Sequence, residues 1–341
     1  MSAGPQPRAG ARGRPRGWAI CAATAAGAVL ALQAWVNGRL GEAVHDPVAA
    51  AAVSDGLSFA VLALGCPFLP GFRRGAARLA QRTAPGPARG AAPAPVLRPW
   101  HFLGGIVGGV VVLSQATSTA ALGAALYTIA LVAGQSLSGL WVDHRGVGPG
   151  EATRADARRL AGAALALAAV AVPLLGSLTA HTLWLALLPF AAGIGLSWQM
   201  AVNGRLNAVA GSPYPSVALN FLLGVLVVAA ALVVDLAASG APAHWPHDAL
   251  LYSGGLLGVV FVLASVLLVR HTGVLVMGLA MTAGQTLGSL ALDLAADGGG
   301  RTGITTLLSS AAILVAAVLA ARPPAARRAD PHTPLPERQL T

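Results

Sequence analysis

The sequence has no lysine, and all 22 of its basic residues are arginine. This absence excludes chemistries that need a lysine side chain, such as the phosphate-binding loop of an ATPase, Schiff-base catalysis and a Ser-Lys nucleophile. Charged residues make up only 10% of the 341 residues, against about 25% in a soluble domain. Hydrophobic residues make up 55%, and the mean hydropathy is +0.69. This is the composition of an integral membrane protein.

Cysteine is almost as scarce. Cys21 and Cys66 lie in separate apolar runs and form no Cys-x-x-Cys pair, so we expect small buried side chains and no structural disulfide. The eight histidines fall mostly in predicted loops and contain no His-Glu-x-x-His motif. We therefore expect no metal, no cofactor and no catalytic residue.

Two motifs each occur twice in the same order. The motif Gln-x-x-x-Asn-Gly-Arg-Leu begins at Gln33 and again at Gln199, an offset of 166 residues. The motif Ala-Gly-Gln-[Ser/Thr]-Leu has its glutamine at Gln135 and at Gln285, an offset of 150 residues. A longer loop in the first half accounts for the difference of 16 residues. The chain is therefore predicted to be a duplicated membrane unit.

Most apolar runs are about 20 residues long, enough to cross a hydrocarbon core of about 30 Å. We predict an all-α integral membrane fold with ten transmembrane helices, five in each repeat. The Gln-x-x-x-Asn motif is expected at the end of its helix, where the helix meets water. The approximate spans are 18–36, 48–69, 102–119, 122–142, 160–178, 182–202, 214–234, 249–269, 274–292 and 304–321.

These spans divide the chain into four parts. Residues 1–17 are rich in glycine, proline and arginine and are predicted to be a disordered basic tail. The first repeat covers 18–178 and includes a flexible cytoplasmic loop at 70–99. The second repeat covers 182–321, and residues 322–341 are predicted to be a disordered tail.

Arginine counting orients the ten spans. Both termini fall on one side, and that side holds 20 of the 22 arginines, whereas only Arg39 and Arg301 fall on the other. Because positive residues favour the cytoplasmic side, both termini are predicted to be cytoplasmic. An odd number of spans per repeat makes the two repeats inverted. Inverted repeats that flank a midplane site are a common plan of secondary transporters, which alternate access to that site.

With both motifs present twice on a five-span unit, the chain resembles the YdcZ-like inner-membrane exporter family of the drug/metabolite transporter superfamily. Members are often single five-span units of about half this length, so the chain looks like two units fused in tandem. The resemblance covers about 18–321, apart from the 70–99 loop. It implies a ten-helix bundle in the inner membrane and export of a small molecule, with no settled substrate.

Four amide side chains are candidate substrate-binding residues. Gln33 and Asn37 are four residues apart and share one helix face, as do Gln199 and Asn203. A primary amide in hydrocarbon is costly unless it is hydrogen-bonded, so these faces should point into the bundle. Two interpretations stay open: hydrogen bonds between helices, worth roughly 0.6–2 kcal/mol each, or contacts to a substrate at the repeat interface.

Three further residues are weighed in the same way. Gln135 and Gln285 follow Ala-Gly, and close helix packing is the favoured interpretation, with substrate contact second. Asp55 is the one acidic residue deep within a predicted span, which makes it a candidate for proton coupling. Where family members tend to have Ser-Phe, this chain has Ser54 followed by Asp55, and its second repeat has asparagine followed by Phe221.

The sequence therefore favours a secondary transporter that moves a small molecule. A non-transporting membrane scaffold is the alternative, and a membrane-embedded lipid-modifying enzyme is a third choice that no nucleophile or metal motif supports. The expected partners are the lipid bilayer and a small-molecule substrate, without nucleic acid, and a homodimer is left open.

Overall fold

The computed structural model describes residues 17–83, 97–147, 157–175, 180–272, 274–296 and 304–321. Within these ranges the chain forms eleven α-helices and no strand. The helices are α1 Gly17–Val44, α2 Pro47–Gly65, α3 Pro70–Thr83, α4 Gly104–Leu122, α5 Ala124–Arg145, α6 Ala157–Leu175, α7 Ala180–Ala210, α8 Tyr214–Ser239, α9 Gly254–Thr272, α10 Val274–Ala296 and α11 Ile304–Ala321.

All the predicted spans coincide with helices, and the additional helix is α3. Six stretches are long and apolar enough to cross a membrane. Shorter apolar helices occur at Leu160–Ala169, Gly254–Ser265 and Ile304–Ala316. The full count of ten spans therefore stays a prediction. The six long stretches are Gly17–Val44, Pro47–Phe68, Pro99–Leu122, Ala124–Val142, Leu183–Ala210 and Tyr214–Ser239.

The Gln-x-x-x-Asn motif lies inside its helix, not at the helix end as predicted. Helix α1 continues to Val44 and α7 continues to Ala210, each seven residues beyond the asparagine. One face of this continuation of α1 is buried, because Leu40 and Val44 pack in the core against α2 and α4. Tertiary packing thus extends a helix past the point where the apolar run stops in the sequence.

The prediction that residues 70–99 are an unstructured loop is wrong for residues 70–83. These residues form α3, which packs on α7 and α8, and a short 3-10 turn at Pro99–Leu103 precedes α4. Glycine and proline suggested a loop, but the burial of Leu79 against α7 compensates for weak helix propensity. Residues 84–96 and both predicted tails, 1–16 and 322–341, lie outside the described residues.

The two halves of the chain interleave. Helix α1 packs mainly on α10 and α9 of the second half, whereas α7 packs mainly on α5 and α4 of the first half. Helices α6 and α11 pack on each other, and α8 packs on α2 and α4. The core is therefore formed largely between the halves and not within each of them.

Glycine allows the closest of these crossings. A methyl group on Gly284 of α10 would overlap the backbone oxygen of Thr24 in α1, and one on Gly134 of α5 would overlap the backbone oxygen of Phe190 in α7. Gly134 and Gly284 are the glycines of the repeated Ala-Gly-Gln motif. The same motif therefore brings two helix backbones into direct contact at both crossings, as small residues do in membrane bundles.

We expect Gly134→Ala and Gly284→Ala each to destabilise the protein by about 1–3 kcal/mol, because the new methyl group meets backbone that cannot rotate away. Unfolding of the detergent-purified protein measures the effect. Gly56→Ala in α2 is the matched control, because no atom lies within 4 Å of the added methyl group. That control should stabilise the helix by up to about 1 kcal/mol. Equal stability of all three variants would contradict the packing role.

Candidate functional site

The first amide face of α1 packs on a glycine face of α9. Gln33 is 6% exposed and Asn37 1% exposed. A methyl group on Gly258 would lie 2.9 Å from Gln33 Nε2, and one on Gly254 would overlap Asn37 Oδ1. The spacing of four residues on α1 is therefore matched by four residues on α9. We call Gln33, Asn37, Ser54 and Gln115 the first amide cluster.

Two other helices complete the first amide cluster. Gln115 of α4 is fully buried, and its Oε1 accepts a hydrogen bond of 2.7 Å from Asn37 Nδ2. Ser54 of α2 faces Gly254 of α9 from the other side, with its Oγ 3.1 Å from where a methyl group would stand. Asn37 Oδ1, Ser54 Oγ and Gln115 Nε2 are buried, and none has a hydrogen-bond partner among the described residues. The cluster can thus offer both donors and acceptors to a ligand.

The second amide cluster repeats this arrangement with the halves exchanged. Gln199 and Asn203 of α7 face the glycine pair of α4, and Asn220 of α8 takes the place of Ser54. A methyl group on Gly104 would lie 3.3 Å from Asn203 Oδ1 and 3.4 Å from Asn220 Oδ1. A methyl group on Gly108 would lie 3.5 Å from Gln199 Nε2. The buried oxygens Gln199 Oε1 and Asn203 Oδ1 also have no partner among the described residues.

The two amide clusters also differ in whether their asparagine has an amide partner. The counterpart of Gln115 at an offset of 150 is Ser265 of α9, which packs on α1, α2 and α10 and is not among the helices that pack closely on α7. Ser265 Oγ instead donates to the backbone oxygen of Phe261 at 2.7 Å. The first cluster is therefore tied together by an amide–amide hydrogen bond, and the second is not.

Asp55 lies between the two clusters. It is 3% exposed, follows Ser54 of the first cluster in α2, and faces α8 one turn beyond Asn220 of the second. A methyl group on Gly224 of α8 would lie 2.8 Å from Asp55 Oδ2. This carboxyl oxygen is buried without a hydrogen-bond partner among the described residues. Asp55 is thus brought to the same interface as the four predicted amides.

Gln135 and Gln285 lie apart from the clusters. Each lies beside a glycine at which two helices cross closely. A methyl group on Gly193 would lie 3.0 Å from the backbone nitrogen of Gln135, and one on Gly27 would lie 2.9 Å from that of Gln285. These glycines precede Gln199 and Gln33 by six residues, or about 9 Å along the helix. Their environment fits the packing interpretation better than the substrate-binding one.

Sequence reasoning missed the glycines that oppose the amides. The pattern Gly-Gly-x-x-Gly occurs at Gly104–Gly108 and at Gly254–Gly258, with the same offset of 150 as the glutamine motif. Comparing residues 150 positions apart along the whole chain would have found these glycines. Gln115 carries no such signal, because its counterpart is a serine, and its pairing with Asn37 emerges only when α1 and α4 pack.

Asp293, at the end of α10, caps another helix. Its carboxylate accepts hydrogen bonds from the backbone N–H groups of Ala124 and Ala125 at 2.8 and 2.7 Å. An anionic side chain is favourable at a helix N-terminus, so Asp293 fastens the start of α5 to the other half of the chain. The side chain of its counterpart Asp143 lies outside the described residues.

Arg205 of α7 is hydrogen-bonded to the backbone just after the end of α5. It donates hydrogen bonds of 2.7 Å to the backbone oxygens of Gly146 and Val147. Among the described residues, no group of three or more His, Cys, Asp or Glu side chains could hold a metal ion.

A pocket of about 390 Å³ lies at the turn between α1 and α2 and the end of α8, with His45, Asp46, Asp235 and His244 in its lining. Val44 in this lining is seven residues beyond Asn37, or about 10 Å along α1. The pocket is therefore separate from the amide clusters and lies about two turns of α1 beyond Asn37.

A family model described as "Putative inner membrane exporter, YdcZ" matches the chain twice, over residues 18–172 and 184–320. Each match covers one of the two halves defined by the repeated motifs, and together they cover most of the chain. No curated protein and no solved structure matches the chain. The resemblance predicted from the repeated motifs is confirmed.

We expect the amide–amide bond to couple Asn37 and Gln115 energetically. In a double-mutant cycle of Asn37→Ala and Gln115→Ala, the two substitutions should interact by about 0.6–1.7 kcal/mol, the range for hydrogen bonds between membrane helices. Unfolding of the purified protein supplies the four stabilities. The equivalent cycle of Asn203→Ala and Ser265→Ala is the control and should be additive. Coupling of similar size in both cycles would refute the described asymmetry.

Proposed function

This chain belongs to the YdcZ family of inner-membrane exporters, and we propose that it exports a small molecule by alternating access at the two amide clusters. The absence of lysine leaves it without a nucleotide-binding loop, so an ion gradient or the gradient of the substrate itself must drive transport. The observation that carries the proposal is the repeated packing of an amide face on a glycine face of the other half.

Substrate binding is assigned to Gln33, Asn37, Gln199 and Asn203. In both clusters, buried amide oxygens are directed at the interface between the halves and have no partner among the described residues. A buried polar group without a partner costs free energy, and a ligand that satisfies several such groups recovers this cost. In this proposal Gln135 and Gln285 contribute helix packing next to the site.

Alternating access would come from relative movement of the two halves. Each amide cluster belongs to one half and packs on a glycine pair of the other half, so sliding one half against the other would open one cluster as the other closes. In the inverted topology the turn between α1 and α2 faces outward, and the equivalent turn between α7 and α8 faces the cytoplasm. The 390 Å³ pocket then marks the outer end of the path.

Asp55 is proposed as the proton-coupling residue. It lies in the middle of α2, and a carboxyl group in a membrane core is by default a candidate for ion or proton exchange. The helix α4 that packs on α2 has no ionisable side chain, and Arg39 and Glu42 of α1 pair with each other at the surface. The other ionisable residues on helices packed against α2 are ten or more positions along their own helices from the residues that face Ser54 and Asp55. They are Cys21, Tyr214, Asp235, Arg270 and His271.

We expect Asp55→Asn to abolish transport driven by a pH gradient. The asparagine keeps the size and polarity of the side chain but cannot exchange a proton. Purified protein in proteoliposomes is tested with a panel of metabolites and drugs under an imposed pH gradient, and flux through the variant should not exceed that of protein-free liposomes.

Asp248→Asn is the matched control, because Asp248 is exposed and lies outside the helices; its flux should equal that of the wild type. Flux unchanged in Asp55→Asn would remove Asp55 from the mechanism but leave the transporter. Binding of a partner protein without flux of any compound would instead favour the scaffold alternative.

Inversion of the repeats predicts opposite labelling of two equivalent positions. Glu42 and Ala208 are exposed and related by the offset of 166 residues. In a background without Cys21 and Cys66, Glu42→Cys should react with a membrane-impermeant maleimide in intact spheroplasts. Ala208→Cys should react only after the membrane is made permeable. Labelling of both positions from the same side would contradict the inverted topology and with it the alternating-access scheme.

A further inference from the structure

Helix α3 belongs to the first half of the chain but docks on the second. Its docking face repeats every four residues through Gly71, Gly75 and Leu79. A methyl group on Gly75 would lie 2.9 Å from Pro215 Cγ, and Leu79 is buried against α7. Helix α3 therefore covers the turn between α7 and α8.

One arginine of α3 is used in this docking. Arg78 Nη1 donates a hydrogen bond of 3.2 Å to the backbone oxygen of Ala210, the last residue of α7. The C-terminal carbonyl groups of a helix lack intrahelical partners and attract positive charge. Arg78 thus fixes α3 to the end of α7.

Two other arginines point away from the docking face. Arg73 and Arg74 are exposed and form no ion pair among the described residues. The sequence contains no aspartate or glutamate between Asp55 and Asp143, and none between 156 and Asp235. These ranges contain α3, α7 and nearly all of α8. Neither α3 nor the cytoplasmic ends of the helices that it touches can supply a countercharge.

The position of α3 places these arginines beside the membrane. Leu64 and Phe68, at the end of the second long apolar stretch, are 74% and 85% exposed. Apolar side chains this exposed at the periphery of a membrane protein face lipid, and α3 begins only two residues after Phe68. A span that ends at Phe68 would place Arg73 and Arg74, five and six residues further along the chain, at the depth of the lipid headgroups.

We propose that Arg73 and Arg74 bind the phosphate groups of anionic phospholipids and so hold α3 on the α7–α8 turn. Two adjacent guanidinium groups next to lipid-facing aromatic and aliphatic side chains suit a ligand with an anionic head and apolar tails. The equivalent turn between α1 and α2 lacks this clamp, because residues 240–248, which precede α9 in the second half, form no helix. The site does not depend on the transport proposal.

The test is the stabilisation of the detergent-purified full chain by phosphatidylglycerol. The thermal unfolding midpoint is followed as this lipid is titrated, with phosphatidylcholine and inorganic phosphate as separate arms. Each arginine near an anionic lipid surface contributes about fivefold in affinity, equivalent to about 1 kcal/mol. We expect the half-saturating concentration to rise about 25-fold in Arg73→Gln/Arg74→Gln, and to stay within about fivefold of wild type in Arg73→Lys/Arg74→Lys.

The matched control removes two exposed arginines outside α3, in Arg98→Gln/Arg145→Gln, and should keep the wild-type response. An equal loss in this control would overturn the proposal, because general positive charge would then explain binding. Loss in the lysine variant, or no change in the glutamine variant, would overturn it as well. Stabilisation by inorganic phosphate and not by phosphatidylglycerol would exclude lipid as the ligand. If the double glutamine variant does not fold, Arg74→Gln alone should show the fivefold change.

Discussion

The structure depends on one constraint: polar amides inside hydrocarbon must be held where another helix comes very close. Glycine makes this closeness possible, since a methyl group on Gly254 or Gly284 would overlap atoms of α1. At the Gly284 crossing the partner is backbone, and at Gly254 it is the amide oxygen of Asn37. Without these glycines the amide face of α1 would be pushed away from its partners, and the cost of burying it would rise.

This constraint also explains why the halves interleave. The amide face of α1 meets its glycine partners on α9, and that of α7 meets them on α4, so each half completes the other. Separating the halves would expose Gln33 and Asn37 to lipid, where an amide is costly. A chain with only one of the two halves would have to meet this need with a second copy. Fusion in one chain keeps the partner always present.

The internal repeats and the apolar helices could be predicted from the sequence. The offsets of 166 and 150 residues and the approximate helix positions follow from hydropathy and motif spacing, which are local properties. What it could not predict depends on packing at a distance. Helix α3 is stable because Leu79 meets α7, and the extension of α1 to Val44 depends on burial against α4. The bond from Asn37 to Gln115 joins residues 78 positions apart, and neither residue alone indicates the other.

The differences between equivalent positions show what fusion allows. A dimer of identical units must carry each side chain twice, so an aspartate at the position of Asp55 would recur at that of Phe221. Two carboxyl groups in one interface of low dielectric would repel each other when both are ionised. The fused chain carries one carboxyl group and one phenyl ring there, and one amide, Gln115, against one hydroxyl, Ser265. A single buried acid with an amide cluster on either side is an arrangement that a symmetric dimer cannot form, because a dimer of identical units would carry the acid twice.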